Sequence, residues 1–394
     1  MPSKVRGSQK LTAWSDSIFP EMTRLAQKYG AVNLSQGFPD FPAPELLKQA
    51  ACDAIRADIN QYSISFGARS LRQAVADQFS SRHGVPIDAD RHVTICCGST
   101  EAMLATMLAS VDPGDEVIVF EPFYENYGPS AILSGGTPKY IRLSPPDWTF
   151  DPEVLERAFS NRTRAIVINT PTNPTGKVFT RTELEAIARL CEKWDVLAIA
   201  DEIYGHIVFD GHEHVPIASI PGMAERTVTI SGLSKTYSVT GWRIGWAIAP
   251  ETLTDGIRKM HDFLTVAAPT PFHDAGVAAL SLPEAFYSQL ARDYETKRDL
   301  MMEILGRHGF TAYQPGGAYY VMADVSRFGF ASDSEFAQYL VKEIGVATVP
   351  GSSFYIDPSA APQTVRFCFS KRDETLHEAD RRLARLSVTS GDRA

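Results

Sequence analysis

Through the middle of the chain, short β-branched and aliphatic runs alternate with segments whose apolar residues recur at helical spacing. That alternation predicts an α/β fold with a mostly parallel sheet. The expected strands are Val93–Cys97, Val117–Phe120, Ala165–Asn169, Val196–Ala200 and Val228–Ser231. The clearest helix between them spans Thr180–Trp194, with Thr180 as N-cap, Glu183 closing a capping box, and Leu184, Ile187, Ala188 and Cys191 on one face. A second helix runs from Thr100 to Ser110 and stops before Asp112-Pro113-Gly114-Asp115. After about residue 280 the pattern changes: amphipathic stretches at Pro283–Arg307 and Ser332–Ile344 flank short strands near Ala318–Ala323 and Thr364–Phe369. The expected organisation is an N-terminal arm with part of a small domain (1–45), a large domain (46–280) and a C-terminal small α+β domain (281–394). The ending Thr389–Ala394 reads as frayed.

Composition narrows the class. At 394 residues, 44% hydrophobic and 22% charged, the chain can bury a large core and is no collagen, coiled coil or disordered polymer. The 38 Lys and Arg fall short of the 47 Asp and Glu, giving a net charge of −9. A binder of bulk nucleic acid or acidic lipid needs the opposite balance. No apolar run approaches the ~18 residues of a membrane span. Met1–Leu11 has no apolar core of a secretory signal, so a cytoplasmic location is expected. The five cysteines include no C-x-x-C pair and read as buried free thiols. His212-x-His214, the nearest approach to a metal cue, reads as a solvated loop, and no metal is expected.

The expected strands all lead, at their C-terminal ends, into polar or glycine-bearing segments: Gly98-Ser99-Thr100, Glu121-Pro-Phe-Tyr124, Pro171-Thr-Asn173-Pro-Thr-Gly176, Asp201-Glu-Ile-Tyr204 and Ser231 to Lys235. In an open parallel sheet that edge is where ligands bind. Gly98-Ser99-Thr100 opens a helix, where free N–H groups suit an anion such as phosphate; a plain turn is the alternative. It is no Walker loop, because Pro171 and Val178 break the pattern around Gly176-Lys177, and no G-x-G-x-x-G follows a strand. Asp201 follows an apolar run, and a buried carboxylate there needs a cationic partner. Lys235, in a glycine- and serine-rich loop, is either a Schiff-base former or a surface charge.

Together these segments carry a resemblance. Gly232-Leu-Ser-Lys235-Thr-Tyr-Ser-Val-Thr-Gly241-Trp-Arg243-Ile-Gly245 resembles, along its whole length, the lysine signature of class I pyridoxal-phosphate aminotransferases of fold type I. Asn169-Thr-Pro-Thr-Asn173-Pro-Thr-Gly176 and Asp201-Glu-Ile-Tyr204 are similar to the family's other two hallmarks. Asn60-Gln-Tyr62 with Gly67, Gly37-Phe-Pro-Asp-Phe-Pro42 and Arg366 fall where the family has motifs, so the resemblance covers about residues 15 to 385.

The resemblance implies a role for each residue. Lys235 holds pyridoxal 5′-phosphate and moves the proton between Cα and C4′. Asp201 pairs with the pyridine nitrogen, Tyr204 and Asn173 bond the ring 3′-oxygen, and Tyr124 stacks on the ring. Ser99, Thr100, Ser234 and Arg243 hold the phosphate. Arg366 grips the substrate α-carboxylate with Gly37 close by, and Phe19 and Tyr127 wall the side-chain pocket. Tyr62 reaches the phosphate of a neighbouring subunit, implying a homodimer with shared sites. Many relatives carry Ser where this chain has Gly232, which leaves Ser231 and Ser234 as competing phosphate hydroxyls, Ser234 being favoured. The branch most similar in sequence acts on kynurenine, glutamine and methionine. The implied activity is transfer of an amino group from an aromatic, sulfur-containing or other bulky apolar α-amino acid to a 2-oxo acid. A β-eliminating C–S lyase and a non-catalytic ligand-binding protein are the rivals.

Overall fold

A computed structural model describes residues 7–14 and 16–386; the ending Thr389–Ala394 lies outside them. Its larger sheet has seven strands, in the spatial order Val93–Cys96, Gly245–Ile248, Thr227–Gly232, Leu197–Asp201, Thr163–Asn169, Glu116–Glu121 and Thr137–Arg142. Gly245–Ile248 is antiparallel to both its neighbours, and the other adjacent pairs are parallel. Period-two alternation divides the interior. Val117, Val119, Ala165, Val167, Leu197 and Ile199 pack with the helix Ser99–Ser110 on one face. Ile118, Phe120, Ile166, Ile168, Ala198 and Ala200 pack with the helix Arg181–Trp194 on the other. A strand covered on both faces must be apolar throughout, which is why the continuous runs were legible.

All five expected strands are present, with ends shifted by a residue or two. The capping box forms as expected: Thr180 Oγ1 accepts from Glu183 N, and Glu183 reaches back to Thr180 N at 2.8 Å. Two strands of this sheet were not foreseen. Thr137–Arg142 is an edge strand carrying Pro138 and Lys139, so it lacks an apolar run. Gly245–Ile248 begins inside the lysine motif.

The smaller sheet is antiparallel, in the order Val349–Pro350, Thr364–Cys368, Tyr320–Asp324, Thr311–Tyr313. The long helix Glu284–Arg307 contributes Met301, Ile304 and Leu305 to its core. The helix expected over Ser332–Ile344 is α-helical only over Asp333–Tyr339, and widens into a π turn at Leu340–Ile344. Val32–Asn33 pairs parallel with Val346–Ala347, joining the N-terminal arm to this part of the chain. None of the described helices is long and apolar enough to cross a membrane.

Two expectations about side chains need correction. All five thiols are free, but Cys52, on the helix Glu45–Arg56, is exposed, and Cys97, just past the strand Val93–Cys96, is half-buried. In the His212–His214 loop His212 and Glu213 are exposed, but His214 is not. His214 turns inward and meets Glu202 Oε2 at 3.1 Å, since a buried carboxylate beside Asp201 needs a partner.

Candidate active site

The C-terminal ends of the parallel strands and the start of Gly245–Ile248 meet at one edge of the large sheet. A cavity of about 220 Å³ opens there, roofed by the arm and by Tyr320 and Arg366 of the small sheet. Its walls include every residue to which the resemblance gave a role except Tyr62, and of the two competing serines they include Ser234.

At one end the backbone sets the shape. Gly98 (φ +79°) turns the chain from strand into the helix Ser99–Ser110. A Cβ on Gly98 would lie 2.3 Å from Arg243 Nη2, and one on Gly245 would lie 2.5 Å from Ser99 N. These approaches bring the Arg243 guanidinium against the helix N-terminus, where unpaired N–H groups and the helix dipole favour an anion. A Cβ on Gly232 would lie 2.7 Å from Ile244 O. Gly232, the last residue of the strand Thr227–Gly232, therefore leaves no room for a side chain. Ser234 lines the cavity, whereas Ser231 borders a separate small cavity behind the sheet. Ser99 contributes backbone more than side chain, because its hydroxyl donates to Ser231 O at 3.0 Å.

In the middle of the cavity stand Lys235 and Asp201. Lys235 Nζ donates to Gly37 O at 2.8 Å. Loss of hydration pulls its ammonium down to about 8; the charges of Arg366 and Arg243 act in the same direction, and Cys368 and Asp201 oppose them only in part. Asp201 is 7% exposed. Burial raises its carboxyl above the ordinary range, against two bonds that favour the charged form: Tyr127 Oη donating at 2.7 Å and Ile203 N at 3.3 Å. No cation bonds this carboxylate among the described residues, so it suits a ligand that carries one. A protonated pyridine nitrogen is such a group, and a phosphate suits the Gly98 turn.

The far end holds Arg366. Its guanidinium is fully buried, donates through Nη1 to Asn173 Oδ1 and through Nη2 to Ser35 O, both at 2.7 Å, and lies 4.1 Å from the Tyr320 ring centre and 5.0 Å from that of Phe19. Its Nε has no partner. Because Asn173 turns its oxygen to Arg366, its amide N–H groups remain for a ring oxygen beside Tyr204. Tyr204 Oη lies 3.0 Å from Tyr320 Oη. Gly37 must be glycine, since a Cβ would lie 2.0 Å from Tyr320 Oη.

One residue sits differently from expectation: Tyr127 lines the cavity, but its hydroxyl is committed to Asp201 rather than to a side-chain pocket. Tyr62, expected to serve a neighbouring subunit, is 79% exposed and does not line its own chain's cavity. Tyr320, Gln36, Asn126 and Ile203 also line the site and escaped the sequence reading. Of these, Ile203 lies inside the Asp201-Glu-Ile-Tyr204 segment, and Tyr320 ends the Gly316-Gly-Ala-Tyr-Tyr run that leads into an expected strand.

Comparison with known proteins agrees with this geometry. Residues 29–383 match the family model for aminotransferases of class I and II. The chain is 40% identical over 389 residues to a probable N-succinyldiaminopimelate aminotransferase of Mycobacterium tuberculosis, covering 96% of this chain and 98% of that one. It is 37% identical to mouse kynurenine–oxoglutarate transaminase 3, covering 96% and 90%. The solved structure of an Escherichia coli protein with methionine aminotransferase function superposes with a TM-score of 0.93 at 36% identity, covering 97% and 100%. A desolvated carboxylate facing a lysine, a glycine-built anion cradle and a buried arginine thus stand in a chain that belongs to the class I and II aminotransferases, enzymes of fold type I that depend on pyridoxal phosphate.

Proposed function

We propose that this aminotransferase takes its amino group from a bulky, uncharged α-amino acid (aromatic, sulfur-containing or otherwise apolar), passes it to a 2-oxo acid, and works as a cytoplasmic homodimer with shared sites. The observation that carries the donor class is the make-up of the cavity wall. Phe19, Gln36, Asn126, Tyr127, Ile203 and Tyr320 contribute to it, and the cavity's cationic side chains are Lys235, Arg243 and Arg366. Arg243 lies against the anion cradle and Arg366 serves the α-carboxylate, which leaves an acidic donor side chain without a counter-ion from this chain. Relatives named for kynurenine and methionine support an apolar donor, whereas another is named for N-succinyldiaminopimelate, a donor with further carboxylates, and all three point to a roomy pocket.

Bound pyridoxal phosphate supplies a ring that withdraws electrons from the substrate Cα. The residues do the rest. Asp201, kept in place by Tyr127, holds the pyridine nitrogen protonated. Ser99 N, Thr100 N, Ser234 Oγ and Arg243 hold the phosphate. Tyr124 covers one face of the ring, and Tyr204 with Asn173 Nδ2 donates to the ring oxygen. Arg366 fixes the α-carboxylate, so that Lys235 Nζ can take the proton from Cα and return it at C4′. An amine that loses its proton near pH 8 is matched to that task.

The dimer is supported by a patch in which Tyr62, Ile64, Phe263, Leu264 and Val266 stay exposed, tied together by Ser63 N donating to Thr270 Oγ1 at 3.1 Å. Apolar side chains grouped in this way mark an interface. The free thiols fit a reducing compartment. A spectrophotometric screen of amino donors with 2-oxoglutarate and pyruvate as acceptors tests the assignment. Aromatic amino acids and methionine are expected to lead. Aspartate leading by tenfold in kcat/KM would refute the donor class, and pyruvate released from a cysteine conjugate without acceptor would point to lyase chemistry.

A further inference from the structure

Behind the anion cradle lies a buried pair that the chemistry above leaves unused. Glu101 sits in the first turn of the helix Ser99–Ser110, and its side chain is 10% exposed; that of His261, in the helix Glu251–Thr265, is fully buried. Glu101 Oε2 accepts from Cys97 N at 3.0 Å and meets His261 Nδ1 at 3.0 Å. His261 Nε2 meets Ser65 O at 2.9 Å, two residues before Gly67. Both imidazole nitrogens thus face acceptors. Burial is the largest single influence and lowers this histidine, but the bond to Glu101, its charge, and the contact with Ser65 O together outweigh it, and the balance is upward. An imidazolium can donate to Glu101 Oε2 and Ser65 O at once, with the Thr265 hydroxyl also 3.2 Å from Nδ1, while Glu101 Oε1 has no partner.

The cluster also contains the Cys96 thiol, within 4.8 Å of the other two groups. Burial and the adjacent carboxylate hold that thiol protonated, which disfavours a metal thiolate. What the pair does contact is the backbone on either side of the cradle. A carboxylate at a helix N-terminus would ordinarily compete with a bound phosphate for the free N–H groups. Glu101 turns backward instead, onto Cys97 N, and His261 answers its charge.

We propose that Glu101 and His261 are positioning residues that fix the turn Gly98–Thr100 in its anion-binding form and so set the affinity for the phosphate of the cofactor. The pair also ties this turn to the segment that carries Tyr62. The inference rests on the phosphate lying at this turn, as assigned under Proposed function.

Binding of pyridoxal phosphate and of pyridoxal to the apoprotein, followed by fluorescence quenching, separates a positioning role from a structural one. Pyridoxal shares the ring and aldehyde but lacks the phosphate. Glu101→Ala should weaken pyridoxal phosphate by at least about tenfold, the order expected for a charged hydrogen-bond partner, and leave pyridoxal within about twofold. Glu101→Gln keeps an acceptor for Cys97 N and loses the charge facing His261. It should give a smaller loss, again confined to the phosphate form, and it decides the matter if the alanine variant does not fold. Equal losses for the two ligands, or unchanged affinity for pyridoxal phosphate in the glutamine variant, would overturn the proposal. Arg243→Gln guards the underlying assignment. If it leaves pyridoxal phosphate affinity intact, the phosphate reading fails; if it weakens only the phosphate form while the Glu101 variants do not, the positioning inference alone fails.

Discussion

Replacing Arg366 by lysine tests the assignment of the carboxylate end most directly. A guanidinium carries five N–H groups. One is donated to Asn173 and one to Ser35, each at 2.7 Å, which leaves Nε–H and one N–H on each terminal nitrogen for a substrate carboxylate. Two parallel bonds to that carboxylate are therefore possible without disturbing the internal ones. A lysine has three N–H groups on one atom. If two replace the contacts to Asn173 and Ser35, a single one remains, and the planar contact with Tyr320 at 4.1 Å is lost as well. The difference is one charge-assisted hydrogen bond, about 1.5–3 kcal/mol. That corresponds to a fall in kcat/KM of roughly tenfold to somewhat over a hundredfold. The assay is steady-state kinetics of Arg366→Lys with three donors of different side chain, such as phenylalanine, methionine and glutamine. The fold-loss should be the same for all three within experimental scatter, because the α-carboxylate is common to them. A loss that varies by more than tenfold between donors, or that falls on acidic donors alone, would place Arg366 at the side-chain end and refute the reasoning.

Borohydride reduction of the yellow holoenzyme should fix the cofactor mass on the peptide containing Lys235, as read by mass spectrometry, and Lys235→Ala should bind cofactor while losing nearly all turnover; label on another lysine would refute this. The ammonium of Lys235 is held at about 8, below its ordinary value of 10.5, so the folded apoprotein binds fewer protons than the unfolded chain between those values and its stability should rise with pH across that window. The urea midpoint of apo wild type should accordingly gain on that of apo Lys235→Met from pH 8 to 10.5, and parallel curves would count against the desolvated amine. Mixing Tyr62→Ala with Lys235→Ala by unfolding and refolding should restore roughly a quarter of wild-type activity, since random assembly makes about half the dimers mixed and each then has one intact site. Activity no higher than the mean of the two parents, given a severely impaired Tyr62→Ala, would confine Tyr62 to its own subunit.

Much of this site could be read before any coordinates, for a definite reason. Strands such as Leu197–Asp201 are covered on both faces, so they stand out as apolar runs, and the residue that ends each run lies at the ligand edge. Asp201, Asn173 and the Gly98 turn were legible on that ground alone. Lys235 and Arg366 gained their roles only from the family motif, because a lone Lys or Arg looks the same in a cleft as on a surface. The unforeseen parts share a different character. The hydroxyl of Tyr127 pairs with Asp201 across 74 residues, and Tyr320 closes over Gly37 from the other sheet. Such contacts are set by how elements stack, and no local spacing encodes them. The strand Thr137–Arg142 was missed because half of an edge strand is wet and its side chains show it.

The glycines around the anion cradle divide the site into a part that resists change and a part that can vary. Side chains at Gly98, Gly232 and Gly245 would collide with backbone or with Arg243, so the chemistry-bearing end is built into the course of the main chain. The donor-facing wall, by contrast, includes the side chains of Phe19 and Gln36 on the arm. The arm's backbone is held by its strand pair, by burial of Met22, Ala26 and Leu34, and by bonds from Arg366 to Ser35 O and from Tyr319 to Gly37 O. An engineer seeking a new substrate can therefore vary Phe19 and Gln36 while keeping the arm's main chain and the cofactor end constant. A lineage drifting between amino donors has the same route open to it.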